Sequence, residues 1–226
     1  MVSFSPVHTI GDQITEAIML HTDATKQEAR DQVIDLLEKV GIPNSEQRID
    51  EYSFRLSGGM RQRAMIALAL ACNPGLLIAD EPTTALDVTT QAQILQLMKD
   101  LQVEFGMGMM LITHNLGVVA QMADKIIVMY LGKIVEMADT KTLFNDPKHP
   151  YTQELLRSIP KLSRERSTER LNAISGSVPP PFARPGGCTF HPRCPQAMMG
   201  KCDVVEPTQM ELEDGRIVSC LLYEEN

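Results

Sequence analysis

No stretch of this sequence is long and apolar enough to cross a bilayer. The longest apolar runs, Ala64–Cys72 and Gly108–Thr113, fall far short of the roughly 20 residues a spanning helix needs. Any role at a membrane is therefore expected to pass through partner subunits. No secretory leader is expected either, since residues 1–9 carry neither a basic start nor an apolar core. So is any excess of basic charge: 21 Lys+Arg stand against 29 Asp+Glu, a net charge of −8. Such a surface repels phosphate backbones, which argues against sequence-independent nucleic-acid binding. What remains is a chain of 226 residues, 43% hydrophobic and 22% charged: enough for one or two domains with a sizeable core.

Apolar spacing predicts helix over residues 11–40, where Ile14, Ile18, Val33, Leu36, Leu37 and Val40 recur at helical intervals, with a break near His21–Thr25. Thr25 and Glu28 have the spacing of a capping box for the second piece, and Gly41 and Pro43 stop it. Further helices are expected at residues 60–72, Gln91–Phe105, Leu116–Ala123 and Tyr151–Ser158. Leu76–Ala79 and Met109–Thr113 read as buried strands, and Lys125–Tyr130 and Lys133–Met137 as a hairpin around Leu131-Gly132. Strands alternating with helices mean an α/β sheet that is at least partly parallel. After about residue 145 the composition changes. Arg164–Arg170 reads as a solvated linker and Pro179-Pro180-Pro181 as a stiff spacer. A small Cys-, Pro- and Gly-rich module follows. Cys72, alone in an apolar run, is expected to be a small core residue.

Four segments carry chemistry. Ser57-Gly58-Gly59 opens a helix, so backbone N–H groups and the helix dipole can meet an anion there; alone, the segment reads equally as a flexible loop capped by Ser57. The strand Leu76–Ala79 delivers Asp80 and Glu81 to its C-terminal end, where ligands bind in open α/β sheets. Asp80 suits Mg²⁺ through its water shell, and Glu81 suits polarising a water for attack on a phosphate; alone, the pair is also a surface Asp-Glu before a turn. Thr84-Ala85-Leu86-Asp87 follows at once. His114 ends the next strand and, alone, is also an ordinary polar residue.

In order and spacing, Leu56-Ser57-Gly58-Gly59-Met60-Arg61-Gln62-Arg63, a helix, a strand ending Asp80-Glu81-Pro82-Thr83, then Ala85-Leu86-Asp87 and Thr113-His114 resemble the ABC-transporter ATPases. The resemblance implies a RecA-like core with a helical subdomain over residues 12–72. It implies that Ser57, Gly58 and Gly59 close over ATP held by an opposite subunit. By the same resemblance Asp80 holds Mg²⁺, Glu81 is the general base, Asp87 belongs to the dimer-facing loop and His114 contacts the γ-phosphate. Met60 stands where the family usually has Gln, and this variant looks like the peptide-importer branch. The family's phosphate loop, Gly-x-x-x-x-Gly-Lys-Ser/Thr, its aromatic stacking residue and its glutamine loop do not occur here. Ser3–Gly11 resembles the stretch just after the glutamine loop. The expectation is an N-terminally truncated ATPase domain over residues 1–140, inactive by itself, whose signature still serves an intact partner.

Phe144-Asn145-Asp146-Pro147-Lys148-His149-Pro150-Tyr151-Thr152 and Gly176-Ser177-Val178-Pro179-Pro180 resemble the extension that follows this domain in the oligopeptide, dipeptide and nickel importer ATPases. The resemblance implies such an extension over residues 141–226. It also implies two permeases, a second ATPase subunit in a homo- or heterodimer, an extracytoplasmic solute-binding protein acting indirectly, and a peripheral place on the cytoplasmic face of the inner membrane. Within residues 186–222, Cys188, Cys194, Cys202 and Cys220 are spaced C-x5-C-x7-C-x17-C. Four thiolates suit zinc or an iron–sulfur cluster. Unmetallated thiols are the third option. The absence of C-x2-C pairs tilts the choice toward iron–sulfur, and the resemblance implies a 4Fe–4S cluster. His191 is expected to have a surface or packing role. The alternative to a transport motor is a non-catalytic remnant that scaffolds or regulates a partner.

Overall fold

The computed structural model describes residues 4–159, 174–180 and 182–224. The expected linker Arg164–Arg170 and residue Pro181 of the proline spacer lie outside the described residues. Backbone contacts divide the chain into two compact units, Met1–Asn115 and Leu116–Asn226.

The first unit begins with α1 (Ile10–His21) and α2 (Lys26–Lys39). The break between them falls where the sequence places it. Thr25 accepts from the Glu28 N–H while Glu28 accepts from the Thr25 N–H, so the capping box is formed. Ile10, Ile14 and Ile18 of α1 and Val33, Leu36 and Leu37 of α2 are buried, the one-sided stripe of helices that share a core. A short helix, α3 (Ser45–Arg48), precedes α4 (Gly58–Leu70), whose Ala64, Ala67 and Leu70 join the same core. Then come β1 (Leu76–Asp80), α5 (Val88–Phe105) and β2 (Gly108–Ile112). β1 and β2 pair in parallel, from Leu76 opposite Gly108 to Asp80 opposite Ile112.

Two expectations change here. β1 and β2 are not buried on both faces. Leu77 and Ala79 face the core, with Met109 and Leu111 packed against it, whereas Leu76, Ile78, Met110 and Ile112 are exposed. A two-stranded sheet with helices on one side covers one row of alternating side chains and leaves the other open. Cys72 is not a core residue either: α4 ends at Leu70, and Cys72 lies exposed in the turn that follows.

The second unit holds α6 (Leu116–Met122), β3 (Lys125–Tyr130), β4 (Lys133–Asp139), α7 (Thr140–Asn145), α8 (Pro150–Arg157), β5 (Met210–Glu211) and β6 (Ile217–Val218). Leu131 and Gly132, both at positive φ (47° and 77°), make the tight turn of the β3–β4 hairpin. The sheet order is β3-β4-β6-β5, antiparallel throughout. The hairpin, assigned from sequence to the first domain, thus pairs with the tail: Glu136 lies opposite Val218 and Met137 opposite Ile217. Ile126, Val128, Tyr130, Val135, Leu143 and Phe190 form the core of this unit.

Candidate functional site

β1 and β2 end side by side, which brings their terminal side chains together. The Glu81 N–H donates to the Ile112 carbonyl (2.9 Å), extending the ladder by one residue. His114 then meets Glu81 twice: its backbone N–H donates to Glu81 Oε1 (3.2 Å), and its Nδ1 lies 2.7 Å from the same oxygen. The Thr84 hydroxyl donates to the other carboxylate oxygen at 2.9 Å. These bonds, His114 first and Thr84 second, hold the Glu81 carboxyl below the usual carboxylate range, so it is ionised and able to take a proton. Glu81 also has φ 48°, a conformation non-glycine residues rarely adopt and which concentrates at functional sites. Asp80 lies beside it on the exposed side of β1.

The signature residues form a second group. Ser57 is the N-cap of α4 and accepts the Met60 N–H (3.3 Å). Ser57 and Gly58 are exposed and Gly59 is half-buried, so the N–H groups of the first turn have no helical acceptor and face outward. A Cβ on Gly59 would sit 2.8 Å from Thr90 Cγ2, and one on Gly58 would touch Leu86. The glycines thus let the start of α4 lie against the start of α5. Asp87 caps that second helix, accepting the Thr90 N–H (2.9 Å) and hydroxyl (2.7 Å). Those bonds, from the Thr90 N–H foremost, hold its carboxyl low. The capping role of Asp87 is legible in its spacing to Thr90, though the sequence reading began the helix three residues late. None of Ser57, Gly58 and Gly59 hydrogen-bonds to Glu81 or His114.

In the second unit Cys188, Cys194, Cys202 and Cys220 all line one small cavity of about 10 Å³, together with His149, Phe190 and His191. Gly187 makes this possible. Its φ is 61° and a Cβ there would lie 2.5 Å from the Cys202 carbonyl, which lets the Cys188 N–H reach that carbonyl at 2.8 Å. Burial first, then the other sulfurs, pushes up the Cys220 thiol to about 11; Cys188 and Cys194 are raised as well, burial again leading. A bound cation reverses that balance and favours thiolates. Among the described residues no three His, Cys, Asp or Glu converge closely enough to hold a single metal ion. His191 is half-buried and turns Nδ1 to the Cys188 carbonyl (2.9 Å), consistent with a packing role.

Sequence reasoning missed His149 and Arg216. His149 is 1% exposed; its Nδ1 accepts the Tyr151 N–H (3.0 Å), capping α8, and burial lowers its pKa to about 4. Glu136, fully buried on β4, accepts the N–H groups of Lys148 (2.8 Å) and His149 (3.0 Å). Arg216, 4% exposed, bonds to Asp214 and Asp146 and lies 4.0 Å from Glu136. The His-Pro dipeptide before a helix was visible in the sequence, but its burial was not.

Comparison with known proteins follows these two units. An ABC transporter family profile matches residues 2–84, and one for the oligopeptide/dipeptide transporter C-terminal region matches residues 135–202. The chain is 56% identical over 225 residues to the oligopeptide transport ATP-binding protein AppD of Bacillus subtilis, covering all of this chain and 68% of that protein. It is 51% identical over 220 residues to the dipeptide transport ATP-binding protein DppD of Escherichia coli, covering 97% of this chain and 66% of that protein. It thus spans about two thirds of the length of each. Among solved structures, the dimeric ABC transporter cassette MJ0796 matches with a TM-score of 0.53 at 28% identity, over 61% of this chain and 59% of that one. Clostridium perfringens cbiO1, part of the cbiONQ ABC transporter complex, matches with a TM-score of 0.55 at 26% identity, over 64% of this chain and 55% of that one. The fold is the mixed α/β fold of an ABC transporter cassette.

Proposed function

This chain belongs to the ATP-binding subunits of oligopeptide and dipeptide import ABC transporters, and from that premise we propose that it works as one half of a paired motor whose signature completes an ATP site on a second subunit. Residues 1–140 are read as the ATPase domain without its phosphate-loop part, with residues 12–72 as the helical subdomain and 141–226 as the importer-type extension. The uncovered apolar row Leu76, Ile78, Met110 and Ile112 supports a sheet built to continue.

The observation that carries the reading is the exposed start of α4. There the Ser57 hydroxyl, which accepts the Met60 N–H, can still donate its own proton, and with the N–H groups of Gly58 and Gly59 it can meet the γ-phosphate of a nucleotide held opposite, with the start of α5 and Asp87 flanking them on the dimer-facing side. In a site that also has a phosphate loop, Asp80 holds the Mg²⁺ water shell. Glu81 takes a proton from the attacking water, and His114, fixed against Glu81, contacts the γ-phosphate. The sequence contains no Gly-x-x-x-x-Gly-Lys-Ser/Thr, so nothing on this chain cradles the β- and γ-phosphates beside Glu81. The signature needs no phosphate loop beside it on the same chain and is read as the part that serves the second subunit's site. No helix among the described residues is long and apolar enough to cross a membrane; attachment to the inner membrane runs through two permeases, and the imported solute is a peptide or a similar small solute such as nickel.

Complementation tests this. A full-length relative with a phosphate loop but a disabled signature serine hydrolyses no ATP as a homodimer. Adding this chain is expected to restore hydrolysis, and adding its Ser57→Arg variant is not. A chain that joins the complex but restores nothing fits the second reading, a regulatory scaffold. The cysteine cage is read as holding a metal group that braces a module with little core, a 4Fe–4S cluster in preference to zinc. Visible absorption with iron and zinc assays on anaerobically purified protein decides between them.

A further inference from the structure

The second unit contains a cleft of about 170 Å³ between the start of β4 and the tail, with no part in the phosphate chemistry. Phe190 and Val135, both buried, give it an apolar floor. Two charges of opposite sign stand at its rim: Lys133 Nζ lies 2.7 Å from Glu206 Oε1, and both side chains are about half exposed. Such an exposed pair contributes little stability, so parting it costs little. Thr189, half-buried, and Gln209, exposed, also line the cleft. Among the described residues neither side chain has a hydrogen-bond partner, so a hydroxyl and an amide remain available to a ligand.

We propose that this cleft binds a free α-amino acid with a small aliphatic side chain, its carboxylate on Lys133 and its ammonium on Glu206. Three features select that class. The two protein charges are a complementary pair, so a ligand carrying both signs can enter between them and leave neither unpaired. They stand close together, and an α-amino acid carries its two charges on one carbon, whereas each added residue moves the ends of a peptide apart by up to about 3.5 Å. The room also matches: a cavity of about 150 Å³ accepts benzene, a body of similar bulk to valine. The apolar floor takes the side chain, and Thr189 and Gln209 can add hydrogen bonds to the charged groups.

Calorimetric titration of the full chain with L-alanine, L-valine and L-leucine tests this, alongside the rise in melting temperature that a ligand of the folded state produces. Saturable binding of L-valine is expected. Lys133→Met and Glu206→Gln are each expected to weaken it about tenfold or more, the loss of a hydrogen bond to a charged group, while melting with the wild type when no ligand is added. Isovalerate, which lacks the ammonium, and isobutylamine, which lacks the carboxylate, are expected not to bind the wild type, and valyl-valine is expected to bind more weakly than valine. No binding of any of the three amino acids at millimolar concentration would overturn the proposal. So would affinity unchanged in both variants, or isovalerate, isobutylamine or valyl-valine binding as tightly as valine. Should a variant melt low by itself, the analogues decide, since they need only the wild-type chain.

Discussion

Glu81 and His114 are thirty-three positions apart in the chain and meet because two parallel strands end level with each other. That geometry makes His114 the main reason the Glu81 carboxyl titrates low, ahead of Thr84. His114→Ala is therefore expected to raise the Glu81 pKa toward the ordinary carboxylate range, read by carboxyl chemical shifts in a pH titration. The sign for stability follows. A depressed carboxylate stabilises the fold above its unfolded pKa, and that contribution is lost as pH falls through the lower folded value; the exposure of the pair keeps it small. Joined to the phosphate-loop segment of a relative, the chain is expected to lose hydrolysis by roughly 10²–10⁴-fold on Glu81→Gln while still binding ATP; undiminished turnover would remove Glu81 from the role of base. The strand-end positions of Asp80, Glu81 and His114 were legible because strand ends and acid pairs leave a one-dimensional trace. His149 and Arg216 were not. A buried His and a buried Arg look like surface residues until the pairing that encloses them is known. Cys72 misled for a related reason, since an apolar run says nothing about where its helix stops.

Helices α1, α2, α4 and α5 were legible from apolar spacing, and the break before α2 from its capping box. β5 and β6 were not, because two-residue strands carry no alternation and are defined only by pairing with β4. That pairing is tied down beneath the sheet by Arg216 of the strand-leading turn, with Asp146, Asp214 and buried Glu136 around it. Arg216→Met is expected to destabilise the second unit by about 3–5 kcal/mol, the cost of leaving a buried charge without its partner. The shift would appear in a urea unfolding curve followed at Tyr130 or Tyr151, both packed on Phe190. A change within a few tenths of a kcal/mol would mean the network is solvent-bridged and incidental.

At the scale of the molecule, backbone contacts gather into two compact units, Met1–Asn115 and Leu116–Asn226. The hairpin β3–β4 goes with the tail, because its edge strand needs a partner and finds it in β6. The first unit presents an exposed, glycine-opened helix start capped by Ser57 and an uncovered apolar sheet face, and both suit a chain that works beside other chains. The most direct measurement is ATP-dependent association by sedimentation, using this chain and a phosphate-loop-bearing relative whose own catalytic Glu is changed to Gln so that bound ATP persists. The predicted result is a mixed dimer that forms only with ATP and is lost with Ser57→Arg. Association that ignores ATP, or ignores that substitution, would contradict the claim that the start of α4 meets the phosphate of a nucleotide held across the interface.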